Sequence, residues 1–133
     1  MKKYIHRVNY YETDKMGITH HSNYIRFMEE ARMDFLAELG YPMTKMEELG
    51  LNSPVVSVSC DYKRTTTFSD EIEIEVTVTQ YTGVRLKLSY IMRAAGVVAA
   101  QAVSEHCFLN ENGRPVALKK YVPGLDEALR ALV

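Results

Sequence analysis

The spacing of apolar residues along the chain changes twice, and each change marks an element. From Ser22 onward, Tyr24, Phe27, Met28, Ala31, Phe35 and Leu39 recur every three or four positions, with Arg26, Glu29, Glu30, Arg32, Asp34 and Glu38 between them. This period predicts one amphipathic helix of about five turns. Ser22 is its expected N-cap, and Gly40 with Pro42 its stop. Before it, Lys2 to Tyr11 alternates imperfectly and carries Tyr, Ile and Val, which predicts a strand feeding a polar loop, Glu12 to Gly17. A further turn of helix is expected from Lys45 to Leu49, where Thr44 and Glu47 spell a capping box.

After Pro54 the period becomes two. Val56, Val58, Cys60 and Tyr62 take alternate places, and in Glu71 to Thr79 the alternation is strict, with Ile72, Ile74, Val76 and Val78 on one face. Thr82-Gly83 and Ala95-Gly96 then separate two more runs, Val84 to Arg93 and Val97 to Leu109, at hairpin spacing. Pro123 to Leu132 reads as a terminal helix with Leu125, Ala128, Leu129 and Leu132 on one side. The order is strand, long helix, then four antiparallel strands, which is an α+β arrangement. A sheet this long for so small a chain is expected to curl around the single long helix. An unpaired edge strand would then favour dimerisation by edge pairing.

Composition narrows the picture. With 133 residues, one core and a single domain spanning residues 1–133 are expected. A net charge of -1 argues against a nucleic-acid or anionic-membrane partner. Cys60 and Cys107 lie in strand-like stretches, which marks them as buried core thiols rather than a disulfide or metal ligands. No apolar run reaches bilayer length, and the first residues turn polar too early for a signal peptide, so the expected location is cytoplasmic.

The chemistry concentrates where the first strand meets the long helix. Asp14, Gly17 and the pair His20-His21 fall within eight residues there. A helix start presents unpaired N–H groups and a partial positive charge that suit an oxyanion developing on a carbonyl. A nearby carboxylate attacks such a carbonyl or deprotonates a water that does. Gly17 allows a sharp turn or a close approach of substrate. Taken singly, Asp14 is an ordinary turn residue. The two histidines lack a third ligand at metal-binding spacing, so no metal is expected. His6 and His106 receive no role.

The run Tyr11-Glu12-Thr13-Asp14-Lys15-Met16-Gly17-Ile18-Thr19-His20-His21-Ser22-Asn23-Tyr24, continued by Phe27-Met28-Glu29-Glu30-Ala31-Arg32, closely resembles the signature of hot-dog-fold thioesterases. The relevant branches are the 4-hydroxybenzoyl-CoA thioesterases and the Tol-Pal-associated acyl-CoA thioesterases. The resemblance implies a hot-dog fold, a curled antiparallel sheet of about five strands around one helix, and hydrolysis of an acyl-CoA thioester. It implies Asp14 as nucleophile or general base and position 21, here His21, as the site whose backbone N–H polarises the carbonyl. Gly17, Ile18, His20, Asn23 and Tyr24 become expected substrate-binding residues. Lys63 and Arg64, at a strand end, become candidates for the coenzyme A phosphates. Positions 19 and 20 depart from the Tol-Pal-associated branch, where an aliphatic residue and a tyrosine are usual, which leaves acyl preference open. Coenzyme A arrives with the substrate, so no cofactor is expected. The implied assembly is a homodimer at least, with a homotetramer expected. Two other activities stay open: a non-hydrolytic acyl-CoA-binding module and an enoyl-CoA hydratase-type enzyme, since fold does not dictate function.

Overall fold

The computed structural model describes residues 2–133. Five strands, β1 Tyr4–Arg7, β2 Val55–Tyr62, β3 Glu71–Tyr81, β4 Arg85–Ala94 and β5 Val97–Cys107, form one antiparallel sheet in the order β1-β3-β4-β5-β2. Helix α1, Asn23–Glu38, packs on its inner face; α2, Met43–Glu48, and α3, Pro123–Leu132, lie toward its ends.

The long helix and the three long strands follow from their periods. Phe27, Met28, Ala31, Phe35 and Leu36 of α1 are buried with Ile72, Ile74, Leu88, Tyr90 and Met92 of the sheet in one core. Burying a side chain the size of Phe27 contributes about 2–3 kcal/mol. The β4–β5 hairpin closes on two residues, Ala95 and Gly96, whose φ values of 51° and 78° are both left-handed. Such a mirror-type turn matches the twist of the strands it joins.

One irregularity sets the far end of the core. The β3–β4 register shifts between Val78 and Gln80, so Gln80 stays exposed and Tyr81 turns inward. Its hydroxyl donates to buried Asp126 of α3, which also accepts from Arg130 Nε at 3.1 Å. The hydroxyl and the guanidinium hold the Asp126 carboxyl below its ordinary range, and burial pushes the Tyr81 phenol up. Leu125 and Leu129 of α3 are fully buried beside this contact.

Several expectations shift at element ends. The first strand covers only Tyr4–Arg7, because Asn9 starts a tight turn in which the Asn9 N–H donates to Glu12 Oε1 at 2.7 Å. Ser22 precedes α1 but does not cap it; its φ and ψ are already helical and its hydroxyl makes no cap bond. The capping box at Thr44 is absent as well: the N–H groups of Lys45 and Met46 both reach Pro42 O, which starts α2 two residues early, at Met43, and leaves Thr44 inside it. Cys60 and Cys107 are free and half-buried rather than core residues.

Strand β2 differs most from its reading. It pairs with β5 on one side only, and Val55, Val56, Val58 and Tyr62 remain 40–48% exposed. Val58 stands opposite Ser104 and Cys60 opposite Ala102, so their side chains share the inner face with α1 yet lie open at the sheet's edge.

Behind β2 the core carries a polar chain. Tyr90 Oη lies 2.6 Å from Ser104 Oγ, which lies 2.8 Å from Nε2 of fully buried His106. Burial, reinforced by the nearby Arg32 cation, holds the His106 pKa down to about 4 from 6.5. Because the folded value lies below the unfolded one, the neutral ring's contribution is complete above pH 6.5 and drains away as the pH falls toward about 4. A gap of this size corresponds to about 3 kcal/mol. The unfolding midpoint of the wild type is therefore expected to drop across that interval, and His106→Gln to flatten the drop. Thermal unfolding followed from pH 7 to pH 4 checks this, and parallel curves would remove His106 as its source.

Candidate active site

The segment between β1 and α1 is held mostly by main-chain atoms. Asp14 N–H donates to Ile18 O at 2.8 Å and Gly17 N–H to Asp14 O at 2.9 Å, while Thr13 and Thr19 bridge across the base. Gly17 has φ +80°, a left-handed value that side-chain-bearing residues adopt at a cost of about 1–2 kcal/mol. The loop is pinned to the segment after β2: Thr19 N–H reaches Thr66 O at 2.8 Å, the Thr19 and Thr66 hydroxyls are 2.6 Å apart, and Thr67 Oγ1 donates to Gly17 O at 2.7 Å.

Asp14 is half-buried. Its Oδ1 accepts the Met16 N–H at 2.8 Å, which fixes the carboxylate's orientation, and Oδ2 accepts no hydrogen bond among the described residues. Seven positions on, the start of α1 is shaped by the two histidines. His20 Nδ1 accepts the Ser22 N–H at 3.2 Å and lies 2.8 Å from the Ser22 hydroxyl, so the imidazole holds the residue that leads into α1. His21 O accepts from Tyr24 N–H at 3.2 Å and from the Tyr62 hydroxyl at 3.0 Å. The His21 N–H donates to no acceptor among the described residues. Its ring packs over His20 at 4.2 Å and edge-on to Tyr62 at 6.2 Å.

Asp14, Ile18, His21, Tyr24, Lys63 and Arg64 line one cleft of about 290 Å³, together with Met16, Thr19, Tyr62 and Thr65. Burial pushes the Tyr24 and Tyr62 phenols up, so both stay protonated donors at neutral pH. Lys63 and Arg64 are exposed, their N–H groups both donating to Ala99 O where β2 leaves the sheet; neither makes an ion pair among the described residues. The other three expected residues stand outside the lining. Gly17 sits at the exposed loop tip, His20 bonds Ser22 ahead of α1, and Asn23 Nδ2 donates to Glu12 O at 2.9 Å. The sequence reading missed Tyr62, Thr66 and Glu12. Only Glu12 carried a signal, as a second carboxylate inside the motif, two residues before Asp14.

The chain's relatives agree with this fold. Residues 8–131 match the model of the thioesterase-like superfamily. A protein of Aquifex aeolicus is 37% identical over 119 residues, 90% of this chain and 92% of its own length. The acyl-CoA thioesterase YbgC of Haemophilus influenzae is 29% identical over 118 residues, 87% of each chain. A crystal structure of the DHNA-CoA thioesterase of Staphylococcus aureus superposes with a TM-score of 0.94 at 29% identity, covering 98% of this chain and 89% of that one. With the curled five-stranded sheet and the cleft at the start of α1, these matches establish that the chain belongs to the thioesterase-like superfamily and is a thioesterase of the hot-dog fold.

Proposed function

We propose that the protein hydrolyses acyl-CoA thioesters, with Asp14 acting on the thioester carbonyl and the His21 N–H polarising it. The observation that carries this reading is that Asp14, with one carboxylate oxygen uncommitted, and His21, with an uncommitted N–H, line the same cleft. A thioester oxygen seated on the His21 N–H gains stabilisation as it becomes an oxyanion at the positive end of α1. Asp14 supplies the other half, either adding to the carbonyl carbon itself or taking a proton from the water that adds. Collapse of the tetrahedral species breaks the C–S bond and expels a thiolate; where Asp14 itself has added, water then cleaves the resulting mixed anhydride, freeing the acid and restoring the carboxylate. Thiols ionise near pH 8.5, so this leaving group departs without a strong acid. His20 and Asn23 serve indirectly by fixing the helix start, and Gly17 keeps the loop turn open beside the cleft.

Ile18 and Tyr24 wall the acyl side, and Lys63 and Arg64 meet the coenzyme A phosphates at the rim, where cations are exposed and unpaired. The names of the relatives support coenzyme A as the carrier: one is an acyl-CoA thioesterase, another acts on DHNA-CoA. The working unit is a homodimer joined through β2, whose open apolar edge lies beside Tyr62 and the cleft, and two such dimers build a homotetramer. The reading includes one domain, no cofactor and a cytoplasmic location; no helix among the described residues is long and apolar enough to cross a membrane.

The test is a panel of aliphatic and aromatic acyl-CoAs assayed for thiol release. The best substrate is expected to reach a kcat/KM of at least about 10⁴ M⁻¹s⁻¹. Tight acyl-CoA binding without thiol release, or hydration of an enoyl-CoA with the thioester left intact, would overturn the proposal.

A further inference from the structure

We infer that His6, a residue of β1 remote from the cleft lining, is the positioning residue that sets the Asp14–His21 segment for hydrolysis; the inference rests on the thioesterase reading above. His6 is 8% exposed and its ring stacks on Phe27 of α1 at 4.0 Å. Each ring nitrogen faces a carboxylate: Nε2 lies 2.8 Å from Glu12 Oε1 and Nδ1 lies 3.0 Å from Glu30 Oε1. Each of those oxygens accepts a second hydrogen bond as well, Glu12 Oε1 from the Asn9 N–H and Glu30 Oε1 from the Tyr4 hydroxyl, so both carboxylates face the ring as acceptors.

Glu12 is the arm that reaches the site. Its Oε1 also accepts the Asn9 N–H, and its carbonyl oxygen accepts the His20 N–H at 2.8 Å and Asn23 Nδ2 at 2.9 Å. His20 and Asn23 flank His21 and Ser22, which lead into α1, so the position of Glu12 bears on that of the His21 N–H. Glu30 anchors the other side on α1 and accepts the Tyr4 hydroxyl at 2.8 Å. His6 thus ties sheet, helix and loop through one ring. Without it, Glu12 and Glu30 each lose the ring nitrogen that holds them in place. Glu12 is then free to leave its place, and a misplacement of about 1 Å at a reacting centre lowers rate about 100-fold.

The experiment compares His6→Gln and His6→Leu with the wild type on the best acyl-CoA substrate, recording kcat, KM, the thermal midpoint and exchange of the His20 amide. Glutamine donates to one carboxylate and leucine to neither, so kcat is expected to fall about tenfold and about 100-fold respectively, with KM within about threefold. His20 amide exchange is expected to rise at least tenfold in His6→Leu while that of Thr77 in β3 stays unchanged. Wild-type kcat in the folded variants, or losses that vanish once activity is expressed per folded molecule, would overturn the inference. If neither His6 variant folds, Glu30→Gln, altering the half-exposed end of the chain, is expected to lower kcat at constant KM; an unchanged kcat overturns it. A wild type inactive on every acyl-CoA defeats the thioesterase reading instead, and the amide exchange still decides whether His6 holds the segment.

Discussion

Asp14→Asn is expected to lower kcat for acyl-CoA hydrolysis by at least about 10³-fold while leaving fold and assembly intact. The substitution is nearly isosteric and keeps an oxygen where Oδ1 accepts the Met16 N–H. The loop's remaining bonds, Asp14 N–H to Ile18 O and Gly17 N–H to Asp14 O, belong to the main chain and are untouched. Only the charge is lost. An amide neither adds to a carbonyl nor accepts a proton from water at neutral pH, so both proposed roles fail together. Steady-state kinetics beside a melting curve and a mass measurement separate the outcomes. A rate within tenfold of wild type would remove Asp14 from the chemistry, and a large loss of stability would assign it to the loop's architecture.

Val58→Lys is expected to convert the protein to monomers and to reduce hydrolysis at least about 100-fold. Val58 is 40% exposed on an edge strand with no neighbour on its outer side, so a lysine there is accommodated by the isolated chain. Across a twofold edge pairing, the same change places two cations close together in apolar surroundings. Edge lysines are a recognised obstacle to strand association. The effect reaches the site because Tyr62, four residues on in the same strand, holds the His21 carbonyl and lines the cleft. Light scattering after gel filtration reads the mass, and the thiol assay reads activity on the same fractions. A fully active monomer would show that the cleft needs no second copy, and an unchanged dimer would place the interface elsewhere.

The layout of the fold was readable because period, rather than any single residue, carries it. The alternation in Glu71 to Thr79 and the stripe from Tyr24 to Phe35 each repeat enough times to outweigh one exception. Features decided by a single residue were not readable. The register shift at Val78 left no mark in composition, and neither did the helical backbone of Ser22, which gives its own N–H to His20 Nδ1 and leaves α1 without a side-chain cap. Val56, Val58 and Tyr62 were read correctly as alternating, but alternation does not reveal that a strand lies at an open edge. For the site, local reasoning placed an oxyanion-binding helix start beside Asp14, while the thioester came from resemblance. His6 and Glu12 escaped notice because their partners lie on three different elements, which only the folded chain brings together.

The Asp14 loop has a consequence for how such proteins diversify. Its shape depends on carbonyl and amide groups of Glu12, Asp14, Ile18 and Thr66, which every amino acid except proline can supply. The side chains of Met16 and Ile18, which face the cleft, make none of those bonds. Descendants of this chain are therefore at liberty to exchange them, acquiring appetites for new acyl groups while the reacting centre stays put.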